Sequence, residues 1–503
     1  MSTIPEILRE NAARWPDREA IVATRAGRDV AVTFSDLERR ADLFASKLHD
    51  SGIHPGDPVL VFVPMSVELY TALLGIFRLG AIAVFLDPSA GIKHINACCD
   101  RLPPRALISV LPLRLIRPFV TGLRRIPRVF APPSALAGAP ESLPPMPGPD
   151  DAALITFTSG STGQPKAGVR THRFLIAQHT ALKDSIRLEE GERDLTTLPV
   201  FVLANLASGI TSILPDAKIS RPGSVDSARI ACQVARLRPT RTGGSPAFYQ
   251  RLLAQPDSLS GFRKIYTGGA PVFPAFLQEL QDAAPQADVV AVYGSTEAEP
   301  IAHICWKEIA PADWDAMRSG RGLLAGRPIP EIHLRVIPDQ WGKPAVDFTP
   351  QLSGHIGEII VTGDHVLKGY LHGQGDSETK IRIGGEIWHR TGDAGYFDET
   401  ERLWLVGRCS ARISDALGTL YPFTVECVAM AFPAIVRAAF ISSHEKRILV
   451  IEPRSTFRQS DELKTACAWA CISRIHEVSE IPVDARHNAK IDYPKLKLLM
   501  EKI

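Results

Sequence analysis

The run Thr158-Ser159-Gly160-Ser161-Thr162-Gly163-Gln164-Pro165-Lys166 gathers small, hydroxylated and cationic residues in one stretch. It follows Ala153-Leu154-Ile155-Thr156-Phe157, a short apolar run of strand type, so the turn falls where a strand ends. Gly160 and Gly163 let the backbone turn tightly and approach a ligand. Backbone N–H groups, the hydroxyls of Thr158, Ser159, Ser161 and Thr162, and the Lys166 ammonium make a concave donor surface suited to phosphate oxygens. The spacing is not that of a Walker loop. Gln164 and Pro165 separate Gly163 from Lys166, and Ala167 stands where a Ser or Thr would follow. A flexible Ser/Gly surface loop is the competing reading of this segment taken alone.

The same residues resemble the nucleotide loop of the adenylate-forming superfamily, which holds acyl-CoA synthetases, peptide-synthetase adenylation domains and luciferases. Further motifs of that superfamily recur in order over nearly the whole chain. Ile265-Tyr266-Thr267-Gly268-Gly269-Ala270-Pro271 resembles its GGAP turn, which lies along the adenine and the acyl pocket. Tyr293-Gly294-Ser295-Thr296-Glu297 resembles its YGxTE motif. That likeness implies an aromatic face for the purine from Tyr293, a hydroxyl for the α-phosphate from Thr296, and a Glu297 carboxylate for Mg²⁺. Thr391-Gly392-Asp393 is similar to the TGD motif, whose Asp takes both ribose hydroxyls; a carboxylate has the two acceptors that a cis-diol needs. Gly407-Arg408 matches the GR element, and Lys490, in Arg486-His487-Asn488-Ala489-Lys490-Ile491, stands where the superfamily keeps a C-terminal catalytic lysine. One anion attacking another needs a cation between them, which is the role this likeness implies for Lys490.

The resemblance implies ATP and Mg²⁺ as cofactors, a carboxylic acid as substrate and acyl-AMP with pyrophosphate as first products. By position in the superfamily, Phe201, Val202, Asn205, Ser245 and Pro246 are candidate walls of the acyl pocket. No Asp lies between Phe201 and Asn205, where amino-acid-activating domains carry one, so an apolar acid of fatty type is expected.

The second step is less conventional. The hinge charge usual two residues after the GR arginine is replaced by Ser410, and Leu417 stands where a glycine normally opens a pantetheine path, with Gly418 displaced by one. Arg486–Ile491, Leu198-Pro199-Val200-Phe201, Gly243–Ala247 and Gly418–Tyr421 look like the olefin β-lactone synthetases, which adenylate a β-hydroxy acid and close it with its own hydroxyl. An internal nucleophile needs no pantetheine path. Lactone closure and transfer to CoA both stay open as second steps. Transfer to a carrier-protein thiol or an amine is a further enzyme reading, and a non-catalytic acyl-nucleotide-binding paralog is the contrasting class. Retention of Lys166, Glu297, Asp393, Arg408 and Lys490 together argues for an enzyme.

These residues need a scaffold that ends strands at glycine turns. Thr33 to Gly52 reads as a helix with a polar start and a Gly stop, leading to the strand-like run Val59–Pro64, then another helix, then Ala81–Pro88. Strand, helix, strand is the grammar of a parallel α/β unit. Further strand-like runs near Ile265, Val289 and Gly357 each end in a glycine turn, where α/β sheets present ligand loops. After Arg408 shorter elements begin. The expected fold is α/β: a large N-terminal body of layered sheets and helices over 1–407, a hinge at 408–410, and a small mobile α+β C-terminal domain over 411–503.

The whole-chain figures agree. A chain of 503 residues, 45% hydrophobic and 22% charged, is ordinary for a globular protein. A net charge of +2 gives no footprint for nucleic acid, and the arginines between Arg114 and Arg128 read as a solvated helix face. The eight cysteines have no framework spacing and read as idle thiols of a reducing compartment. No run approaches the ~18 apolar residues of a membrane helix, and the N-terminus lacks a signal-peptide core. A cytoplasmic ligase is expected.

Overall fold

The computed structural model describes residues 2–87, 90–134, 136–138, 143–159, 165–219, 222–484 and 490–501. The chain forms two compact units. The first comprises Met1–Ile219, Cys232–Gly243 and Leu367–Asp376; the second comprises Ser220–Ala231, Gly244–Val366 and Ser377–Ile503.

The first unit carries a six-stranded sheet in the order Arg128–Phe130, Ala106–Ser109, Pro58–Phe62, Ile82–Phe85, Ala152–Ser159, Pro165–Thr171. Its pairs are parallel except the last, an antiparallel pair that places Thr158 opposite Lys166. The expected helix is present as Phe34–Asp50, and Thr33 caps it by accepting from Asp36 N at 3.2 Å. It packs on the helix Val67–Leu79 at Gly75, where a Cβ would lie 3.0 Å from the Ala41 carbonyl oxygen and the Phe44 ring, tighter than side chains ordinarily pack. A second run of strands orders Arg241–Gly244, Arg193–Thr196, Thr211–Leu214, Glu19–Arg25 and Arg28–Thr33.

Arg241, fully buried in this unit, is paired with Glu192 at 2.9 Å and lies 3.6 Å from Asp194. Removing one member of such a set would strand a buried charge, at a cost of roughly 3–5 kcal/mol.

The second unit orders His333–Ile337, Gly357–Thr362, Glu386–Phe397, Leu403–Arg408, Leu323–Pro328, Ala298–Cys305, Asp288–Ser295 and Lys264–Gly268. Only the final pair is parallel along this path. From Ile413 onward the chain builds smaller pieces. A hairpin joins Ile413–Asp415 to Gly418–Leu420, and a three-stranded sheet orders Ile435–Ser443, Lys446–Pro453 and Arg474–Glu477. That sheet has its own core of Val425, Val428, Phe440, Leu449 and Leu463. Among the described residues no helix is long and apolar enough to cross a membrane. The eight cysteines are unpaired.

Candidate active site

The first unit places Lys166 on the strand Pro165–Thr171 with its side chain buried. The aliphatic stem runs beside Gly375, where a Cβ would lie 2.7 Å from Lys166 Cδ, and the ammonium lies 5.8 Å from the centre of the Tyr370 ring. Thr158 and Ser159 end the strand Ala152–Ser159. Gly160, Ser161, Thr162 and Gly163 lie outside the described residues.

Phe201, Val202 and Asn205 sit buried on the helix Pro199–Ala207. A Cβ on Gly243 would lie 2.7 Å from the Phe201 ring. The Asn205 amide is committed inside the unit, donating to Asp194 Oδ2 at 2.9 Å and Ser212 Oγ at 3.1 Å. Sequence reading treated it as a wall residue and did not see this bond.

In the second unit the strand-end glycines are required by close packing. A Cβ on Gly268 would lie 2.6 Å from the Val292 carbonyl oxygen, and one on Gly294 would lie 3.1 Å from the Ala298 oxygen. Gly269 next to it has φ +79°, and Ala270 follows half-buried. Ser295 pairs with Ala298, so Thr296 and Glu297 form the two-residue tip of an antiparallel hairpin, both half-buried. The buried hydroxyls of Ser245, Thr267 and Ser295 have no partner among the described residues. Ser245 precedes the helix Pro246–Leu252, whose first residue, Pro246, is buried. An unsatisfied buried hydroxyl costs about 1–3 kcal/mol, which a hydrogen bond from water or a ligand offsets.

Asp393 is clasped from two sides. Tyr293 donates its phenol to Oδ2 at 2.8 Å, and Arg408 Nη1 donates to Oδ1 at 2.8 Å. Burial, then the Asp393 charge, raises the Tyr293 phenol well above its ordinary pKa, so it stays a donor. The Asp393 charge likewise raises the Arg408 guanidinium. An ionised carboxylate has about four acceptor sites, so two remain for a cis-diol. His389 is pushed down to about 3 by burial and by neighbouring Lys380, and is therefore neutral. Arg390 is spent on Glu358 in a buried two-bonded pair at 2.7 and 2.7 Å.

Sequence reading missed the loop that backs this clasp. A Cβ on Gly392, at φ +71°, would lie 2.9 Å from the Trp341 ring, and the Arg390 guanidinium stands 5.2 Å over the same indole. Asp339, two residues earlier, accepts from Arg412 at 3.0 Å and from the Tyr421 phenol at 2.8 Å. The only available signal was an aromatic inside the turn-rich run Ile337-Pro338-Asp339-Gln340-Trp341-Gly342.

Lys490 is exposed. Its backbone N–H donates to Asp484 Oδ1 at 2.9 Å, while residues 485–489 lie outside those described. At the altered segment, Leu417 forms the exposed tip of the 413–420 hairpin, and Arg447 fixes that tip through Asp415 at 2.8 Å and the Gly418 carbonyl at 2.9 Å.

Comparison with known proteins gives a coherent result. The olefin beta-lactone synthetase of Stenotrophomonas maltophilia (strain K279a) is 30% identical over 538 aligned residues, covering 98% of this chain and 96% of that protein. The olefin beta-lactone synthetase of Xanthomonas campestris pv. campestris is 31% identical, covering 99% and 96%. Among solved structures, ATP-bound MatB from Rhodopseudomonas palustris superimposes with a TM-score of 0.82 at 21% identity, over 99% of both chains, which shows the fold. The family model described as AMP-binding enzyme matches residues 8–371, a span that holds the phosphate-loop strand, the GGAP turn and the Thr296–Glu297 hairpin. The chain belongs to the AMP-binding enzyme family and is an AMP-forming acyl ligase.

Proposed function

We propose that this ligase activates a β-hydroxy fatty acid and closes it to a β-lactone. The full-length similarity to two olefin beta-lactone synthetases carries the reading. In the first step the substrate carboxylate attacks the α-phosphorus of ATP, the bond to the β-phosphate oxygen breaks, and pyrophosphate leaves. In the second, the β-hydroxyl oxygen attacks the acyl carbon, the acyl–phosphate bond breaks, AMP leaves, and the hydroxyl proton passes to solvent or AMP. A nucleophile already carried by the substrate makes closure a unimolecular step that needs no second acceptor.

Asp393 takes the ribose hydroxyls beside Arg408, and the Tyr293 ring faces the purine. Lys166 and the hydroxyls of 158–162 hold phosphate oxygens. Thr296 contacts the α-phosphate. Lys490 neutralises charge between carboxylate and α-phosphate. Glu297 would hold Mg²⁺, its carboxylate supplying a hard oxygen donor. When bound, the ion supplies charge neutralisation on the phosphates. Phe201, Val202, Ser245 and Pro246 are assigned to the acyl group. Residues 411–503 act as a lid on a hinge at 408–410, and the enzyme works in the cytoplasm.

Leu417 at the hairpin tip, in place of glycine, supports a second step without pantetheine. Transfer to CoA is the second reading, since Gly418 stays beside it with φ +106° and open space around its Cα. A carrier-protein thiol or an amine as acceptor would follow the same route. The test is mass spectrometry of reactions with ATP, Mg²⁺ and 3-hydroxydecanoic acid or decanoic acid, each with and without CoA. A β-lactone and AMP from the hydroxy acid without CoA is the expected result. A thioester from decanoic acid, formed only with CoA, would overturn it.

A further inference from the structure

Lys490 lies on the surface, yet the described residues 481–484 and 490–493 are tied to one another. Asp484 and Lys490 exchange two bonds: Asp484 N donates to the Lys490 carbonyl at 2.8 Å, and Lys490 N donates to Asp484 Oδ1 at 2.9 Å. Val483 bridges Ile491 in antiparallel fashion, and Asp492 N donates to the Pro482 carbonyl at 2.9 Å. These contacts pinch the segment into a stem with Lys490 at its upper end.

Two glutamates anchor that stem. On the incoming side Ile481 N donates to Glu452 Oε2 at 2.8 Å, and Arg437 holds the same carboxylate at 2.9 Å. On the outgoing side Tyr493, three residues past Lys490, donates its phenol to Glu426 Oε1 at 2.7 Å. Glu426 is fully buried on the helix Pro422–Met430, and the same oxygen accepts from Phe440 N at 2.9 Å. One carboxyl oxygen therefore joins a helix, the strand Ile435–Ser443 and the start of the helix Tyr493–Met500. Ile491 and Tyr493 pack against the Ile441, Val450, Ile481 and Leu496 cluster beneath. A buried polar group in an apolar core is costly unless it is hydrogen-bonded, and here two donors meet on the one Glu426 oxygen.

We propose that Tyr493 and Glu426 are positioning residues for Lys490: their hydrogen bond holds the lysine stem on the core so that the ammonium is presented in one place. The proposal rests on the reading of Lys490 as the bridging cation. Burial pushes the Glu426 carboxyl up to about 8, so near neutral pH it is a neutral acceptor, which a glutamine side chain can copy.

The test is steady-state pyrophosphate release by the full chain with ATP, Mg²⁺ and 3-hydroxydecanoic acid. Tyr493→Phe should lower kcat about 10- to 100-fold with KM for ATP within about twofold, since a displaced reacting group costs rate and not nucleotide binding. Glu426→Gln should stay within about threefold of wild type by keeping the acceptor oxygen. Placed in a Lys490→Ala background, Tyr493→Phe should cause no further loss, because the group it positions is gone. An equal loss in both backgrounds, or an unchanged kcat in Tyr493→Phe beside a damaged Lys490→Ala, would overturn the positioning role. A silent Lys490→Ala would instead remove the reading of Lys490 itself.

Discussion

Tyr293 and Asp393 stand a hundred residues apart in the chain and meet through a 2.8 Å hydrogen bond from phenol to carboxylate. With Arg408 on the other oxygen, the carboxylate is oriented before any ribose arrives. Preorganised acceptors lose little freedom on binding, which is how one aspartate can clamp a sugar.

Asp393→Asn keeps the shape and removes one ionised oxygen. KM for ATP should rise about tenfold, and the Arg408 side chain should lose its charge partner. Tyr293→Phe should raise KM less, by about threefold, since it removes orientation and leaves the acceptor. Titration calorimetry with ATP separates the two.

Lys490→Ala should suppress pyrophosphate release about a hundred- to a thousandfold, the usual cost of one lost electrostatic partner in a transition state. ATP affinity should stay within a few fold. Pyrophosphate release near the wild-type rate would contradict the assignment.

Glu426 gives a stability test with a definite sign. Its folded pKa is raised from 4.5 to about 8 by burial, so folding favours the protonated form. That contribution is complete below about pH 4.5 and is lost as pH rises to about 8, at up to about 1.4 kcal/mol per unit. Glu426→Gln should therefore gain on wild type in urea melts across this window and run parallel to it above. A constant difference at every pH would count against a buried neutral carboxyl.

Asp339 ties the start of the C-terminal segment to the loop behind the clasp through Arg412 and Tyr421. Cys409 and Ala411 between them are buried. Asp339→Ala strands two donors at about 1–3 kcal/mol. Trypsin should then cut faster at Arg408 and Arg412, and a non-hydrolysable acyl-adenylate analogue should slow the cut if residues 411–503 close over nucleotide.

Much of the candidate site was legible because each motif is local. A strand that ends in glycine announces a turn, and Gly268 proves to be a place where a Cβ would strike a carbonyl oxygen, with Gly294 tightly packed. The helix start at Thr33 and the strands near Val59, Ile82, Ile265 and Val289 follow the same local grammar. What local pattern does not encode is strand order. Tyr293 reads as an aromatic face for a base, while its hydroxyl is spent on Asp393, a partner whose strand is separated from its own by Ala298–Cys305, Leu323–Pro328 and Leu403–Arg408 in the sheet order and which no local pattern names. Asn205 reads as a wall and is bound to Asp194 and Ser212 for the same kind of reason. Glu426 and Tyr493 carry no signal at all, since an acid on an apolar helix looks like a surface charge until its burial is known.

The Trp341 indole touches the Gly392 backbone and stacks under Arg390, one residue and three residues from Asp393. An excited indole responds to the field and the polarity around it, so the proposed ribose site comes with a built-in optical probe. Nucleotide settling on Asp393 should shift the emission of the native chain without any label. In Trp341→Phe that response should vanish while the remaining tryptophans glow on as a constant background, which turns a stopped-flow fluorimeter into a clock for nucleotide arrival.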